Sequence, residues 1–142
     1  MKTLRTSNFR YNELIYSDTA VINNIDNNAP EEYKENCIKL MLFLQELRDA
    51  FGKTIIINSG YRSKELNKLV GGSPVSSHLY FLAADISTGN IDELIDFIKD
   101  FYKDRDDYDQ IIIESNGRSK WVHIGIEHPK YGRRGQLFNM NV

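Results

Sequence analysis

Two short runs constrain the architecture of this chain more tightly than any other part of it. Leu79–Ile86 (LYFLAADI) and Lys120–Ile126 (KWVHIGI) both alternate between apolar and mixed positions. Successive side chains of a strand point to opposite faces of a sheet. Leu82, Ala84 and Ile86 therefore share one face, and Phe81, Ala83 and Asp85 the other. In the second run Val122, Ile124 and Ile126 turn inward, while Trp121, His123 and Gly125 turn away. A chain holding both runs is expected to build a sheet with one apolar face. Asp85 and His123 are then free to point the same way from the other face.

The remaining elements follow from spacing. Tyr33, Cys37, Leu40, Leu44, Leu47 and Phe51 recur at three- and four-residue steps, which predicts an amphipathic helix starting near Pro30 and capped by Gly52. Thr54–Asn58 (TIIIN) reads as a buried strand. Ser63 is placed to cap a short helix through Val70 with Leu66, Leu69 and Val70 inward, and Gly71-Gly72 ends it. Asn90, with Glu93 reaching back to it, opens a helix whose buried face is Ile91, Leu94, Ile95, Ile98 and Phe101. Tyr108–Glu114 predicts a strand, Ser115-Asn116-Gly117 a hairpin turn, and Leu137-Phe138 an edge strand in a basic tail. Residues 1–29 show no sustained period and contain a polar loop from Asn23 to Asn28.

Composition excludes several classes of function. The chain has 142 residues, 41% hydrophobic and 27% charged, which fits one domain spanning 1–142 with a sizeable core. A net charge of −2 offers no basic field for nucleic acid, and Arg133 and Arg134 read as a solvated tail. No segment approaches the ~20 apolar residues of a membrane span. Cys37 is the single cysteine, so no intramolecular disulfide forms, and a buried inert thiol is expected. The chain is expected to be a monomer.

The chemistry-bearing residues cluster in Ser59–Ile86 and Trp121–Ile126. His78 precedes Asp85 by seven residues, and His123 lies on the second alternating run. Zinc favours four-coordinate sites built from imidazole nitrogen and carboxylate oxygen, and a catalytic zinc keeps one position for water. Spacing alone leaves open that these are three unrelated polar side chains. His128, five residues after His123, falls on the wrong face of a continuing strand and reads as a surface histidine. Arg62 offers a planar fork for a carboxylate or a developing oxyanion.

These motifs resemble those of the zinc D-Ala-D-Ala carboxypeptidases and related phage endolysins, a peptidase M15-like family with the hedgehog/DD-peptidase fold. The family writes Ser-Gly-Tyr-Arg-Ser, Leu-Asn, Val-Gly-Gly, Ser-x-His-x-x-Gly-x-Ala-x-Asp and Trp-Val-His in that order. This chain has Ser59-Gly60-Tyr61-Arg62-Ser63, Leu66-Asn67, Val70-Gly71-Gly72, Ser76-x-His78, Ala83-x-Asp85 and Trp121-Val122-His123. The resemblance implies an α+β domain, with a small, mostly antiparallel central sheet, helices on one side and an open zinc cleft on the other. It implies one zinc ion per chain on His78, Asp85 and His123, and hydrolysis of an amide bond in a peptidoglycan stem peptide. The bond is of the D-Ala-D-Ala or the L-Ala-D-Glu type.

In the resembled family the arginine at Arg62 binds substrate and stabilises the transition state, and Ser76 matches the family serine. Glu114 is the expected general base, because Asp109-Gln110-Ile111-Ile112-x-Glu114 resembles the Asp-Gln-x-Ile-x-Glu strand of phage-type members. The other reading of Glu114 is a hairpin-end residue paired with Lys120 or Arg118. Two positions depart from the pattern: Phe81 stands where the family has Gly, and Lys120 where some members have a catalytic Glu. Phe81 and Trp121, on the predicted site face, are expected to narrow the cleft or contact substrate. An alternative from the same departures is a zinc-binding but inactive wall-recognition or structural module. The N-terminus, MKTLRTSNFRYNEL, has no apolar run of signal-peptide length. Release through a holin or carriage on a phage particle is the expected route to the wall.

Overall fold

The computed structural model describes residues 1–142. Five helices and five strands follow in the order α1 (Tyr11–Ile15), α2 (Asp18–Ile22), α3 (Lys34–Phe51), β1 (Ile56–Ser59), α4 (Lys64–Leu69), β2 (Ala83–Ser87), α5 (Ile91–Phe101), β3 (Gln110–Ser115), β4 (Lys120–Gly125) and β5 (Gln136–Asn141). The strands make a single sheet in the order β1-β2-β4-β3-β5. Pairing is antiparallel throughout except for β3 with β5, which run parallel. The fold is α+β with a mostly antiparallel sheet, as expected. No helix is long and apolar enough to cross a membrane.

The apolar alternation sets which face is covered. Ala84 and Ile86 of β2, Ile111 and Ile113 of β3, and Val122 and Ile124 of β4 join one buried cluster. Leu40, Leu44 and Leu47 of α3 and Leu94, Ile95 and Ile98 of α5 belong to the same cluster. Burying each such side chain stabilises the fold by about 1.5–3 kcal/mol relative to leaving it exposed. α3 ends at Gly52 in the left-handed conformation, with φ of 76°, and the Asn90 side chain caps α5 by accepting from the Glu93 N–H. Cys37 lies fully inside this core, and burial pushes its thiol up to about 11.

Four expectations need correction. β1 is an edge strand rather than a buried one: Ile56 is 50% exposed, and only Ile55, just before the strand, is buried. In α4 only Leu66 of the three turns inward, while Leu69 and Val70 are exposed, Val70 lying past the last helical residue. Arg134 is not solvated tail but forks onto Asp109 (Nε–Oδ1 2.7 Å, Nη2–Oδ2 2.9 Å).

The fourth is Phe81, read above as a cleft residue. Ser77–Tyr80 form a 3₁₀ turn and the strand begins only at Ala83, so the alternation does not extend back to Phe81. Phe81 takes the left-handed conformation (φ 62°) that closes this turn, and its ring is fully buried against Tyr61 (centroids 5.3 Å apart) and Tyr11 (6.1 Å). It lines no part of the site. The left-handed backbone accounts for the glycine of the related motif, since glycine adopts it without steric cost.

The aperiodic N-terminal segment is an integral part of the core. Phe9, Tyr11 and Leu14 are buried, although neither α1 nor α2 exceeds five residues. Polar contacts add to this burial. Asn27 donates to the carbonyls of Ile15 (2.7 Å) and Tyr61 (3.0 Å) and accepts from the Ser63 N–H (2.7 Å). A Cβ on Gly60 would sit 2.2 Å from the Leu14 carbonyl oxygen, so only glycine permits this approach.

Candidate metal centre

The face of β2 and β4 opposite the apolar core carries a polar cluster. Asp85 and His123 are direct cross-strand partners in the β2–β4 ladder, which fixes their side chains on the same face. His78 enters from the 3₁₀ turn ahead of β2. One ligand atom from each of His78, Asp85 and His123 can be chosen so that all lie within 4.8 Å of one another. Asp85 Oδ1 is 3.0 Å from His123 Nδ1 and 3.3 Å from His78 Nε2.

Each ring is held in place. The His78 Nδ1 lies 2.7 Å from the Gly60 carbonyl. A carbonyl can only accept, so Nδ1 carries the proton and Nε2 is left with its lone pair toward Asp85. This outer hydrogen bond is the arrangement that orients metal-binding histidines elsewhere. Burial lowers the His78 pKa and keeps the ring neutral, against the opposing pull of Asp85. Burial pushes the Asp85 carboxyl up, but the adjacent His78 and His123 rings more than offset it, leaving Asp85 well below the usual carboxylate range. A buried carboxylate with two imidazoles, reached by Arg62 through only one nitrogen at 3.3 Å, is a donor set suited to a divalent metal of the zinc type.

Arg62 stands beside this cluster. Its guanidinium donates to Ser59 Oγ (3.0 Å), Asn67 Oδ1 (3.2 Å) and Asp85 Oδ2 (3.3 Å). The backbone on either side of it is gripped by Asn27, and its own N–H bonds the His78 carbonyl at 3.0 Å. Asn67 is itself buried and donates to the Ser73 carbonyl at 2.8 Å, tying Arg62 to the loop ahead of His78. Burial lowers the Arg62 pKa against the carboxylates of Asp85 and Glu114, and the group remains a cation.

Glu114 projects from β3 onto the same face. Its Oε1 is 4.0 Å from His123 Nδ1. Burial raises its pKa, Asp85 raises it further, and His123 and Arg62 oppose. Glu114 pairs with neither hairpin cation: Lys120, at the start of β4, pairs with Asp92 at 3.1 Å on the surface, and Arg118 makes no ion pair with Glu114. Ser76 caps the 3₁₀ turn through the His78 N–H (3.2 Å).

Arg62, Ser76, His78, Asp85, Glu114, Trp121 and His123 all line one pocket of about 620 Å³. The structure therefore brings together every residue singled out from the sequence except Phe81. It adds Asn58, Ser73, Met140 and Val142 to the lining. Nothing in the sequence motifs points to Met140 and Val142; only the parallel pairing of β5 with β3 brings them there. A larger groove of about 1060 Å³, lined by Tyr33, Tyr61 and Tyr80, lies on the far side of Gly71 and contains none of the metal-cluster residues. His128 is accounted for by the fold: its Nε2 lies 3.1 Å from the Val75 carbonyl, and its Nδ1 accepts from the Lys130 and Tyr131 N–H groups.

Comparison with known proteins agrees with this geometry. The family model described as Peptidase M15 matches residues 7–125, which include the polar cluster, Arg62 and Glu114 and stop before β5. Over 58 residues the chain is 41% identical to the zinc D-Ala-D-Ala carboxypeptidase of Streptomyces albus G. That stretch covers 40% of this chain and 23% of the relative.

Proposed function

The chain belongs to the Peptidase M15 family, and from that membership and the geometry above we propose that it is a zinc peptidase hydrolysing an amide bond in peptidoglycan stem peptides. The observation that carries the reading is the His78–Asp85–His123 cluster with Glu114 beside it. His78 through Nε2, Asp85 through a carboxylate oxygen and His123 through Nδ1 would hold one zinc ion. When bound, zinc supplies Lewis acidity and activates water at neutral pH.

The side chains have separate tasks. Glu114 takes a proton from the attacking water and delivers it to the departing amine. Its raised pKa suits both halves of that exchange, and its place beside His123 puts it in reach. Arg62 holds the substrate carboxylate or the developing oxyanion, oriented by Ser59, Asn67 and the Asn27 clamp. Trp121 and Ser76 line the space the substrate enters. The scissile bond is of the D-Ala-D-Ala or L-Ala-D-Glu type, and the setting is cell-wall turnover or phage lysis.

The inactive-module alternative rested on Phe81 and Lys120. Phe81 lies in the core and does not obstruct the pocket, and Glu114 supplies beside His123 the carboxylate that Lys120 lacks. The test is elemental analysis of the purified chain together with digestion of purified peptidoglycan, with and without chelator. The expected result is about one zinc per chain and chelator-sensitive release of new amino and carboxyl ends. Zinc without cleavage would return the inactive module, and no zinc after reconstitution would remove the site.

A further inference from the structure

The strand order lays out a polarity gradient across the pocket. At the β1–β2 side stand Asn58, Arg62 and Asp85, and the metal cluster spans β2 and β4. Beyond it, β3 and β5 bring a different surface. Glu114 of β3 is in register with Trp121 on one side and with Met140 of β5 on the other, so the three form one row on the same face. Val142, two residues beyond Met140, is anchored by its N–H to the Ser115 carbonyl at 2.9 Å and lines the pocket as well.

Met140 is 43% and Val142 60% exposed, large apolar side chains open to solvent at the rim of an otherwise charged site. Met140 and Val142 make a short apolar edge on one side of Glu114, with Trp121 across it, and apolar groups placed around a few polar ones mark a place where a partner group is seated. Its position is fixed: the Asp109–Arg134 pair pins the chain ahead of β5, and the Gln136 N–H bonds the Asp109 carbonyl at 2.9 Å. β5 lies outside the stretch that matches the family, so this wall comes from the chain's own C-terminal segment.

We propose that Trp121, Met140 and Val142 form an apolar subsite that seats an aliphatic substrate side chain on the side of the scissile bond away from Arg62. This rests on the peptidase reading for the identity of the scissile bond, but the subsite itself is a binding property. An aliphatic side chain buries against the wall, whereas a carboxylate there is desolvated beside Glu114 and repelled by it.

The chain contains one tryptophan, and it is Trp121, so intrinsic fluorescence reads this subsite directly. The probes are N-acetyl-X-D-alanine analogues whose scissile amide is replaced by an uncuttable methyleneamine, with X as D-alanine, D-leucine, D-serine or D-glutamate. They are titrated into the full chain as purified. The expected result is a saturable blue shift with alanine and leucine, and binding weaker by about tenfold or more with glutamate. Met140→Gln, at an exposed position on an edge strand, should remove most of the difference between X = leucine and X = glutamate while leaving the melting temperature in place. Equal affinity for all X, no response to any probe, or equal weakening of all four by Met140→Gln would each overturn the subsite. The two proposals separate cleanly. Peptidoglycan cleavage with no dependence on X removes the subsite and keeps the peptidase. A response graded by X in a protein that cleaves nothing keeps the subsite and removes the peptidase.

Discussion

The protein buries two aspartates, each beside an arginine, and uses them in opposite ways. Asp109 is 2% exposed, and Arg134 closes on it with both arms of the fork and with its backbone N–H at 3.2 Å. Asp85 is 9% exposed, and Arg62 reaches it with a single nitrogen at 3.3 Å while its other donors serve Ser59 and Asn67. The second pair is left open on purpose of geometry: two imidazoles share the Asp85 carboxylate, and none of the contacts is shorter than 3.0 Å. A closed bidentate pair satisfies both partners and joins two segments of chain. An open carboxylate flanked by two imidazoles holds negative charge ready for a cation. Residue type is the same in both places; the number of donors each arginine can spare decides the outcome.

The largest test of this contrast is Asp85→Asn. It should reduce bound zinc to below about one-tenth of the wild-type content, since a neutral amide is a poor ligand for a hard-to-borderline divalent ion. The unfolding midpoint of the metal-free protein should move less than it does on altering Asp109. Full metal content in that variant would show that Asp85 is not a ligand. Next in size is Glu114→Gln, which keeps the shape of the pocket and removes the proton carrier. Hydrolysis should fall by about 10²–10⁴-fold with zinc content unchanged. Undiminished turnover would discard Glu114 as the base.

Asp109→Ala should do the reverse. Removing the carboxylate breaks its hydrogen bonds to the partly exposed Arg134 and loosens the start of β5, at a cost of about 1–3 kcal/mol in urea unfolding. Zinc content should be unaffected, because Asp109 touches none of the clustered residues. A loss of metal without a loss of stability would mean that the two aspartates are not separable as described.

How much of this could be read from the chain depends on whether a residue's environment is set by its own strand or helix. Asp85 and His123 sit within alternating runs, so their shared face was legible, and the ordered motifs added His78 and Arg62. α3 and α5 were legible from their apolar stripes. The N-terminal segment was not, because its buried residues Phe9, Tyr11 and Leu14 fall in and just ahead of a short helix with no sustained period, and the Asn27 amide that ties it to Tyr61 and Ser63 leaves no periodic mark. The Asp109–Arg134 pair and the Met140 wall depend on parallel pairing between segments more than 20 residues apart. Phe81 was misread because a 3₁₀ turn interrupts the run two residues before the strand begins.

The correction at Phe81 reverses what a substitution there should do. Phe81→Gly relieves about 1 kcal/mol of left-handed backbone strain but removes a fully buried ring worth about 3–5 kcal/mol. The net expectation is a loss of about 2–4 kcal/mol in denaturant unfolding. A gain in activity with no loss of stability would put the ring back in the site.

The finest test exchanges each arginine for lysine, which keeps the charge and removes the fork. At Arg134 the fork is in use, so Arg134→Lys should cost about 1 kcal/mol as one of two parallel hydrogen bonds is lost from a partly exposed pair. At Arg62 the contact with Asp85 is a single long one, and the stability change should be smaller than at Arg134. What Arg62→Lys should lose is recognition: a rise in KM or a fall in kcat for a carboxylate-bearing peptide, with zinc content intact. If the two variants instead cost the same stability and Arg62→Lys left peptide kinetics unchanged, Arg62 would be a second structural staple. The open and closed pairs would then differ only in length.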